Sequence, residues 1–161
     1  MPIGLGTALA VIGAGLALGV AGLSTAIGVR AAGVSGAAAV AENKENFKNS
    51  LVLQAMPQTQ TIYGFITALF IIMGAGLLMG GGRELTMFEG LVMFGAGLVV
   101  ALTGISAIFQ GAIAAAGIAS CAKNNEAFVP SLVFTGQAET PAIFGFIAAL
   151  IILVVGMGVL G

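Results

Sequence analysis

Histidine and tryptophan are absent from the sequence, and cysteine occurs once, at Cys121. The lack of histidine excludes imidazole metal sites and His-based catalytic triads. A single cysteine excludes an intrachain disulfide and a thiolate metal cluster. Charged residues make up only 7% of the chain, whereas a soluble domain carries about 25%. The net charge is −1 and no basic patch indicates nucleic acid as a partner.

Apolar residues dominate what is present, at 59% of the chain. They form four stretches, at about 5–40, 51–79, 88–121 and 131–159. A membrane span needs about 20 residues, and each stretch is at least that long. No stretch alternates apolar and polar residues, as a membrane β-strand does. The first stretch has no basic region before it, so we interpret it as a retained helix and not as a signal peptide. The sequence predicts an all-α integral membrane protein with four transmembrane helices.

The two halves of the chain repeat one another. A shift of 81 residues aligns 51–80 with 132–161, and 11 of these 30 positions are identical. The polar breaks AENKENFKN (41–49) and AKNNEAF (122–128) are also similar, and GGGRE (80–84) separates the halves. Because each half crosses the membrane twice, the repeats are parallel. We therefore predict two tandem hairpins, residues 1–80 and 84–161.

Basic residues are distributed unevenly between the two predicted sides of the membrane. Four of the five lie in or near the two similar breaks, and Arg83 alone lies on the opposite side. The four are Arg30, Lys44, Lys48 and Lys123. The positive-inside rule then predicts a multi-pass protein of the cell membrane with loops 41–49 and 122–128 in the cytoplasm and both termini outside.

Glu139 is a lone carboxylate inside an apolar stretch. It lies 13 residues beyond Glu126, which corresponds to about 20 Å of helix from the loop. The other acidic residues lie in or beside the predicted loops. A carboxylate kept at this depth is costly, and by default it indicates a functional site.

Several uncharged polar side chains come to a similar depth. Thr59 and Gln60 lie 11 and 12 residues beyond Lys48, and Gln110 lies 13 residues before Lys123. Met56, Thr59, Gln60 and Tyr63 share one helix face by their spacing, as do Thr103, Ser106 and Gln110. Pro57 and Pro141 each remove a backbone N–H, and they can free the carbonyls of Leu53 and Gln137. Oxygen ligands of this kind suit a hard cation.

The chain resembles the membrane rotor subunit of V-type (A/V-type) ATPases, which is called the proteolipid, c or K subunit. The resemblance covers nearly the whole chain and includes QAMPQTQTIYGF (54–65), IFQGAIAAAGI (108–118) and QAETPAIFGF (137–146). Gln58 occupies the position equivalent to Glu139, and one acid per four helices is the V-type pattern. The resemblance is greatest to the sodium-coupled members. It implies a Na⁺ site made by Glu139, Gln110, Thr59, Gln60 and the Met56 carbonyl, with Tyr63 steadying Glu139. Pro141 departs from the pattern, and we expect it to bend the fourth helix just past Glu139.

The resemblance also implies a mechanism and partners. Identical protomers would form a ring in membrane lipid, the Gly-rich first and third helices suiting its inner wall. A stator subunit with a basic residue and a central-stalk subunit at the cytoplasmic loops would be its other partners. The sequence has no phosphate-binding loop, so we expect ATP hydrolysis elsewhere in the complex. Three alternatives remain open: the same ring coupled to H⁺, a small secondary transporter, and a purely structural bundle.

Overall fold

The computed structural model describes residues 4–79 and 83–157, and they form four helical segments. Segment 1 is one helix, α1 (Leu5–Glu42). Segment 2 comprises α2 (Phe47–Ala55) and α3 (Thr59–Gly74), and segment 3 comprises α4 (Met87–Gly104) and α5 (Ser106–Lys123). Segment 4 comprises α6 (Phe128–Gln137) and α7 (Thr140–Gly156). The predicted all-helical fold is confirmed.

Three helical stretches within the described residues are long and apolar enough to cross a membrane. They are Leu5–Glu42, Met87–Lys123 and Asn125–Gly156. Segment 2 is not among them, because glutamine and threonine side chains interrupt the apolar character of its first half. That segment 2 spans the membrane therefore stays a prediction.

Segment 2 ends earlier than the apolar pattern predicts. The sequence places its end at Met79, whereas α3 stops at Gly74 and a short 3-10 turn follows at Leu77–Met79. Gly76 adopts a φ of 72°, a left-handed conformation that glycine tolerates without steric cost. The apolar residues therefore continue beyond the end of the helix, and the apolar pattern alone does not show where α3 ends. Residues 80–82 of the predicted break and 158–159 of the predicted fourth span lie outside the described residues.

The two hairpin loops repeat one another in structure. Asn43 and Asn124 both leave the helix in an extended conformation, with φ of −151° and −148°. Each uses its side-chain oxygen to accept the backbone N–H of the residue two positions later, Glu45 or Glu126. A short 3-10 turn follows in both loops and leads into α2 or α6. The sequence repeat is therefore also a repeat of backbone geometry.

Segments 1 and 3 pack side by side through glycines. A Cβ on Gly97 would meet the backbone of Gly13, and one on Gly111 would meet the backbone of Gly28. Both pairs follow the chain in the same direction, so α1 runs parallel to α4 and α5. Since apolar residues gain little by leaving lipid for another helix, close backbone approach at glycine is a main source of attraction.

Segments 2 and 4 lie outside this central pair. Segment 2 contacts α1, and segment 4 contacts segment 3 through α5·α6 and α4·α7. Two apolar clusters fill the spaces between the segments, one containing Ile71, Met93 and Leu153 and the other containing Leu53 and Ile118. Tyr63 packs against the first cluster and Met56 against the second. The polar residues of segments 2, 3 and 4 lie between the two clusters.

Candidate ion-binding site

Glu139 lies at an interruption of segment 4. It follows the end of α6 at Gln137 and is the residue immediately before α7. The Tyr63 hydroxyl of α3 donates a hydrogen bond of 2.7 Å to Glu139 Oε1. The Tyr63 ring stacks on Phe146 of α7, with ring centroids 5.1 Å apart. The structure thus brings together the predicted carboxylate and its predicted tyrosine partner.

Thr59 lies between two oxygen acceptors of segment 2. Its hydroxyl is 3.2 Å from the Met56 carbonyl oxygen and 3.2 Å from Gln60 Oε1. A hydroxyl has one hydrogen, so it donates fully to one of these oxygens at a time. Three of the predicted ligand oxygens, from Met56, Thr59 and Gln60, therefore meet at one point of the chain.

Gln60 and Gln110 form a buried amide network that links segments 2, 3 and 4. Both side chains are 0% exposed. Gln60 Nε2 donates to Gln110 Oε1 at 2.7 Å and lies 3.5 Å from Ser106 Oγ. Gln110 Nε2 donates to the Thr135 carbonyl of α6 at 3.1 Å. Because a carbonyl can only accept, this last bond fixes which end of the Gln110 amide faces Gln60.

The Thr135 carbonyl is free to accept because segment 4 is interrupted. In a continuous α-helix its partner would be the N–H of Glu139, four residues later. The Glu139 N–H instead donates to the Gly136 carbonyl, at 3.1 Å. The same interruption that positions Glu139 therefore provides the acceptor that orients Gln110.

The two prolines act differently from the expectation. Pro57 lies in a short 3-10 turn at Met56–Gln58, and the Leu53 carbonyl accepts the Met56 N–H, so it is not left free. Pro141 lies in the first turn of α7, and the interruption precedes it at residues 138–139 instead of following Glu139. A proline is tolerated in the first helical turn because the N–H there has no intrahelical partner. The predicted bend past Glu139 is thus wrong in position.

The chemistry of this group favours a small hard cation. The oxygen atoms that could bind a cation come from a carboxylate, two amides, a hydroxyl and a backbone carbonyl, and all of them are hard ligands. Within residues 4–79 and 83–157, no group of three or more His, Cys, Asp or Glu side chains could hold a metal ion. The Met56 carbonyl already accepts the Thr59 N–H, so its second lone pair and Gln60 Oε1 share the one hydrogen of the Thr59 hydroxyl. The residues therefore fit an alkali cation by type, and the arrangement does not resemble a transition-metal site.

The duplicated halves match a known family model. The model of the ATP synthase C subunit matches the chain twice, at residues 12–71 and 94–152. One match falls in each half, and together they cover most of the chain. This chain belongs to the ATP synthase C subunit family. The two matches also confirm the predicted tandem repeat.

Three relatives of this chain carry names that differ in the ion. One is named for sodium, one for the proton, and one names no ion. The K subunit of an A-type ATP synthase of Methanocaldococcus jannaschii is 41% identical over 76% of this chain and 51% of its own length. The K subunit of a V-type sodium ATPase of Enterococcus hirae is 36% identical over 76% of this chain and 78% of its own. The 16 kDa proteolipid of a V-type proton ATPase of Rattus norvegicus is 30% identical over 75% of each chain. This chain thus spans about half the length of the first relative and most of the other two.

Polarity and depth in the sequence do not identify every residue that lies next to the site. Phe146 is apolar, and the only signal for it is its spacing of seven residues from Glu139, which places both on one helix face. The Thr135 carbonyl has no side-chain signal at all. Ser106 belongs to the polar stripe of segment 3, but the stripe does not identify Gln60 as its neighbour.

Proposed function

We propose that this chain is the ion-carrying protomer of a rotor ring in a membrane rotary ATPase of the A/V type, and that it carries Na⁺ at Glu139. Membership of the ATP synthase C subunit family supports the rotor role. The observation that carries the proposal is the hydrogen bond from Tyr63 to Glu139 beside the oxygen cluster of Thr59, Gln60 and Met56. The proposed ligands are Glu139, Gln110, Thr59, Gln60 and the Met56 carbonyl.

Neutralisation of Glu139 is the physical requirement for rotation. A bare carboxylate facing lipid costs about 3 kcal/mol or more. Na⁺ bound to the carboxylate cancels its charge, and the Tyr63 hydroxyl holds one of its oxygens in place. The loaded protomer can then pass through lipid, whereas the unloaded one is stable only beside a basic residue of a stator subunit.

The work of transport comes from outside this chain. Moving one charge against a membrane potential of 100 mV costs about 2.3 kcal/mol. The rotor protomer supplies the ion site, and ATP hydrolysis in other subunits supplies the torque. The loops at 41–49 and 122–128 are the proposed contact with a central-stalk subunit on the cytoplasmic side.

The oxygen chemistry favours Na⁺ over H⁺. A proton binds covalently to one oxygen of Glu139, and the O–H then needs only one hydrogen-bond acceptor. Proton binding therefore does not require Gln110, Thr59 and Met56 together. A cation needs several oxygens at once, and here the Met56 carbonyl oxygen and Gln60 Oε1 both lie 3.2 Å from the Thr59 hydroxyl oxygen. A proton-coupled ring is the second candidate, since one relative carries the name of a proton ATPase proteolipid.

Carbodiimide labelling of Glu139 tests the coupling ion. In purified membrane complex at fixed pH, we expect millimolar Na⁺ to protect Glu139 from the reagent, because the ion occupies the carboxylate. The same concentration of K⁺ or choline is the control for ionic strength. Labelling that responds to pH but not to Na⁺ would assign the ring to protons.

The mass of the detergent-solubilised particle tests the ring. We expect a homo-oligomer of many protomers that survives purification. A monomer or dimer of this 15.8 kDa chain would exclude a rotor ring and favour a small secondary transporter. If Glu139→Gln leaves ion transport by the membrane complex intact, the site has only a structural role.

A further inference from the structure

Thr25 of α1 makes a contact that the site residues do not explain. Its hydroxyl donates a hydrogen bond of 2.9 Å to the carbonyl oxygen of Pro57. In helices, serine and threonine hydroxyls commonly donate to the carbonyl of the residue four positions earlier in the same helix, as Thr103, Ser120 and Thr135 do here. The hydrogen bond of the Thr25 hydroxyl instead joins segment 1 to segment 2, and its acceptor lies in the turn that contains the proposed ligand Met56.

The Pro57 carbonyl is coupled to Met56 by the geometry of the turn. Met56, Pro57 and Gln58 form one 3-10 turn, in which successive residues are rotated by about 120° around the axis. The Met56 carbonyl accepts the Thr59 N–H, which closes this turn, so a bond that holds the Pro57 carbonyl towards α1 also helps to hold the Met56 carbonyl in place. The Thr59 hydroxyl, 3.2 Å from that carbonyl, follows the same turn.

The position of α1 at this level is itself fixed by close packing. A Cβ on Gly28 would lie 3.2 Å from Pro57 Cβ and would also collide with the Ala107 carbonyl. Gly28 in turn forms the close contact with Gly111, the residue after Gln110. The stretch 25–28 thus contacts segment 2 beside Met56 and segment 3 beside Gln110.

We propose that Thr25 is a positioning residue for the ion site: its hydroxyl fixes the turn at Met56–Gln58 so that the Met56 carbonyl and the Thr59 hydroxyl face the ion. This inference rests on the proposed Na⁺ function and adds a contribution from the first helix. It assigns the Thr25 hydroxyl to Na⁺ affinity and not to protonation of Glu139, because Met56 and Thr59 act on the cation.

Thr25→Val tests the proposal, since it removes the hydroxyl and keeps the shape of the side chain. The readout is the Na⁺ concentration that half-protects Glu139 from carbodiimide in the purified membrane complex. We expect that concentration to rise about fivefold, the effect of losing one hydrogen bond. The pH midpoint of labelling without Na⁺ should not change. Thr25→Ser should restore the original Na⁺ concentration.

Ser35→Ala is the matched control. Ser35 also lies on α1 and also donates to a carbonyl of another helix, Ala115 at 2.8 Å, but away from the proposed ligands. We expect it to leave the half-protecting Na⁺ concentration unchanged. If Thr25→Val does not assemble, Thr25→Ala is measured in its place.

The outcomes separate this proposal from the function on which it rests. Na⁺ protection that is equal in the original protein and in Thr25→Val overturns the role of Thr25 and leaves the Na⁺ function standing. An equal loss in Ser35→Ala also overturns it, because the effect would then be a general loosening of α1. If Na⁺ does not protect the original protein, both the function and the positioning role are wrong.

Discussion

Tyr63 connects the carboxylate of the site to the apolar packing around it. Its hydroxyl donates to Glu139, its ring stacks on Phe146, and it packs against the apolar cluster that contains Ile71 and Met93. Glu139 and Phe146 lie on the same helical segment, seven residues apart. A single tyrosine therefore links α3 to α7 and holds one oxygen of Glu139.

Tyr63→Phe separates these two roles. The ring and its stacking remain, while the hydrogen bond of 2.7 Å is lost. We expect the half-protecting Na⁺ concentration for Glu139 labelling to rise tenfold or more, since a hydrogen bond to a carboxylate contributes about 1.5 kcal/mol or more. Thr67→Val is the control, because the buried Thr67 hydroxyl has no hydrogen-bond partner among the described residues. Unchanged Na⁺ protection in Tyr63→Phe would show that Tyr63 only packs.

The sequence predicts the side chains of the site better than its backbone. Depth and helical spacing select Thr59, Gln60, Gln110 and Glu139 because polar groups are rare enough in lipid-spanning helices to be informative. The structure then places the first three in one hydrogen-bonded network. The Thr135 carbonyl was beyond prediction, because every residue has a carbonyl and only the local course of the helix decides which one is free.

Helix interruptions occur in three of the four segments, and each is close to a polar residue of the site. Segment 2 is interrupted at Met56–Gln58, segment 3 at Ile105 and segment 4 at residues 138–139. The prolines signal two of these, although Pro141 acts before its own position because in a regular helix its ring would clash with the carbonyl of Gln137, four residues earlier. Nothing comparable marks Ile105. The sequence therefore predicts the four segments and not their division into shorter helices.

Gly28→Ala tests the close contact between segments 1 and 3. The added methyl would collide with the Ala107 carbonyl and press on Pro57, and such overpacking typically costs about 1–3 kcal/mol. We expect a lower thermal midpoint for the purified protein and weaker Na⁺ protection of Glu139. Gly22→Ala on the same helix is the control, since its added methyl meets nothing within 4 Å in the protomer. Equal stability of the two variants would argue against the glycine contact.

The whole molecule combines a repeated backbone with unequal halves. Both loops have the same Asn-capped geometry, and a hydrogen bond of 2.5 Å from Asn49 to Asn125 joins them at one end of the bundle. At the other end, Arg83 bonds the Gly74 carbonyl and pairs with Glu89, which links α3 to α4. Only the second half carries the mid-segment acid, because Gln58 takes the equivalent position. Duplication thus preserves the scaffold, while the proposed ion site occurs once per four helices.

The excess of lysine and arginine at one end predicts the orientation of the whole molecule in the membrane. Lys44 and Glu84 are exposed at opposite ends, so each can be replaced by cysteine in a Cys121→Ser background. With a membrane-impermeant maleimide on intact cells, we expect labelling of Glu84→Cys and none of Lys44→Cys. In inverted vesicles washed free of peripheral subunits, the pattern should reverse. Labelling of Lys44→Cys from outside would overturn this orientation. It would also overturn the proposed contact of loops 41–49 and 122–128 with a central stalk, because a stalk driven by ATP must meet the ring on the cytoplasmic side.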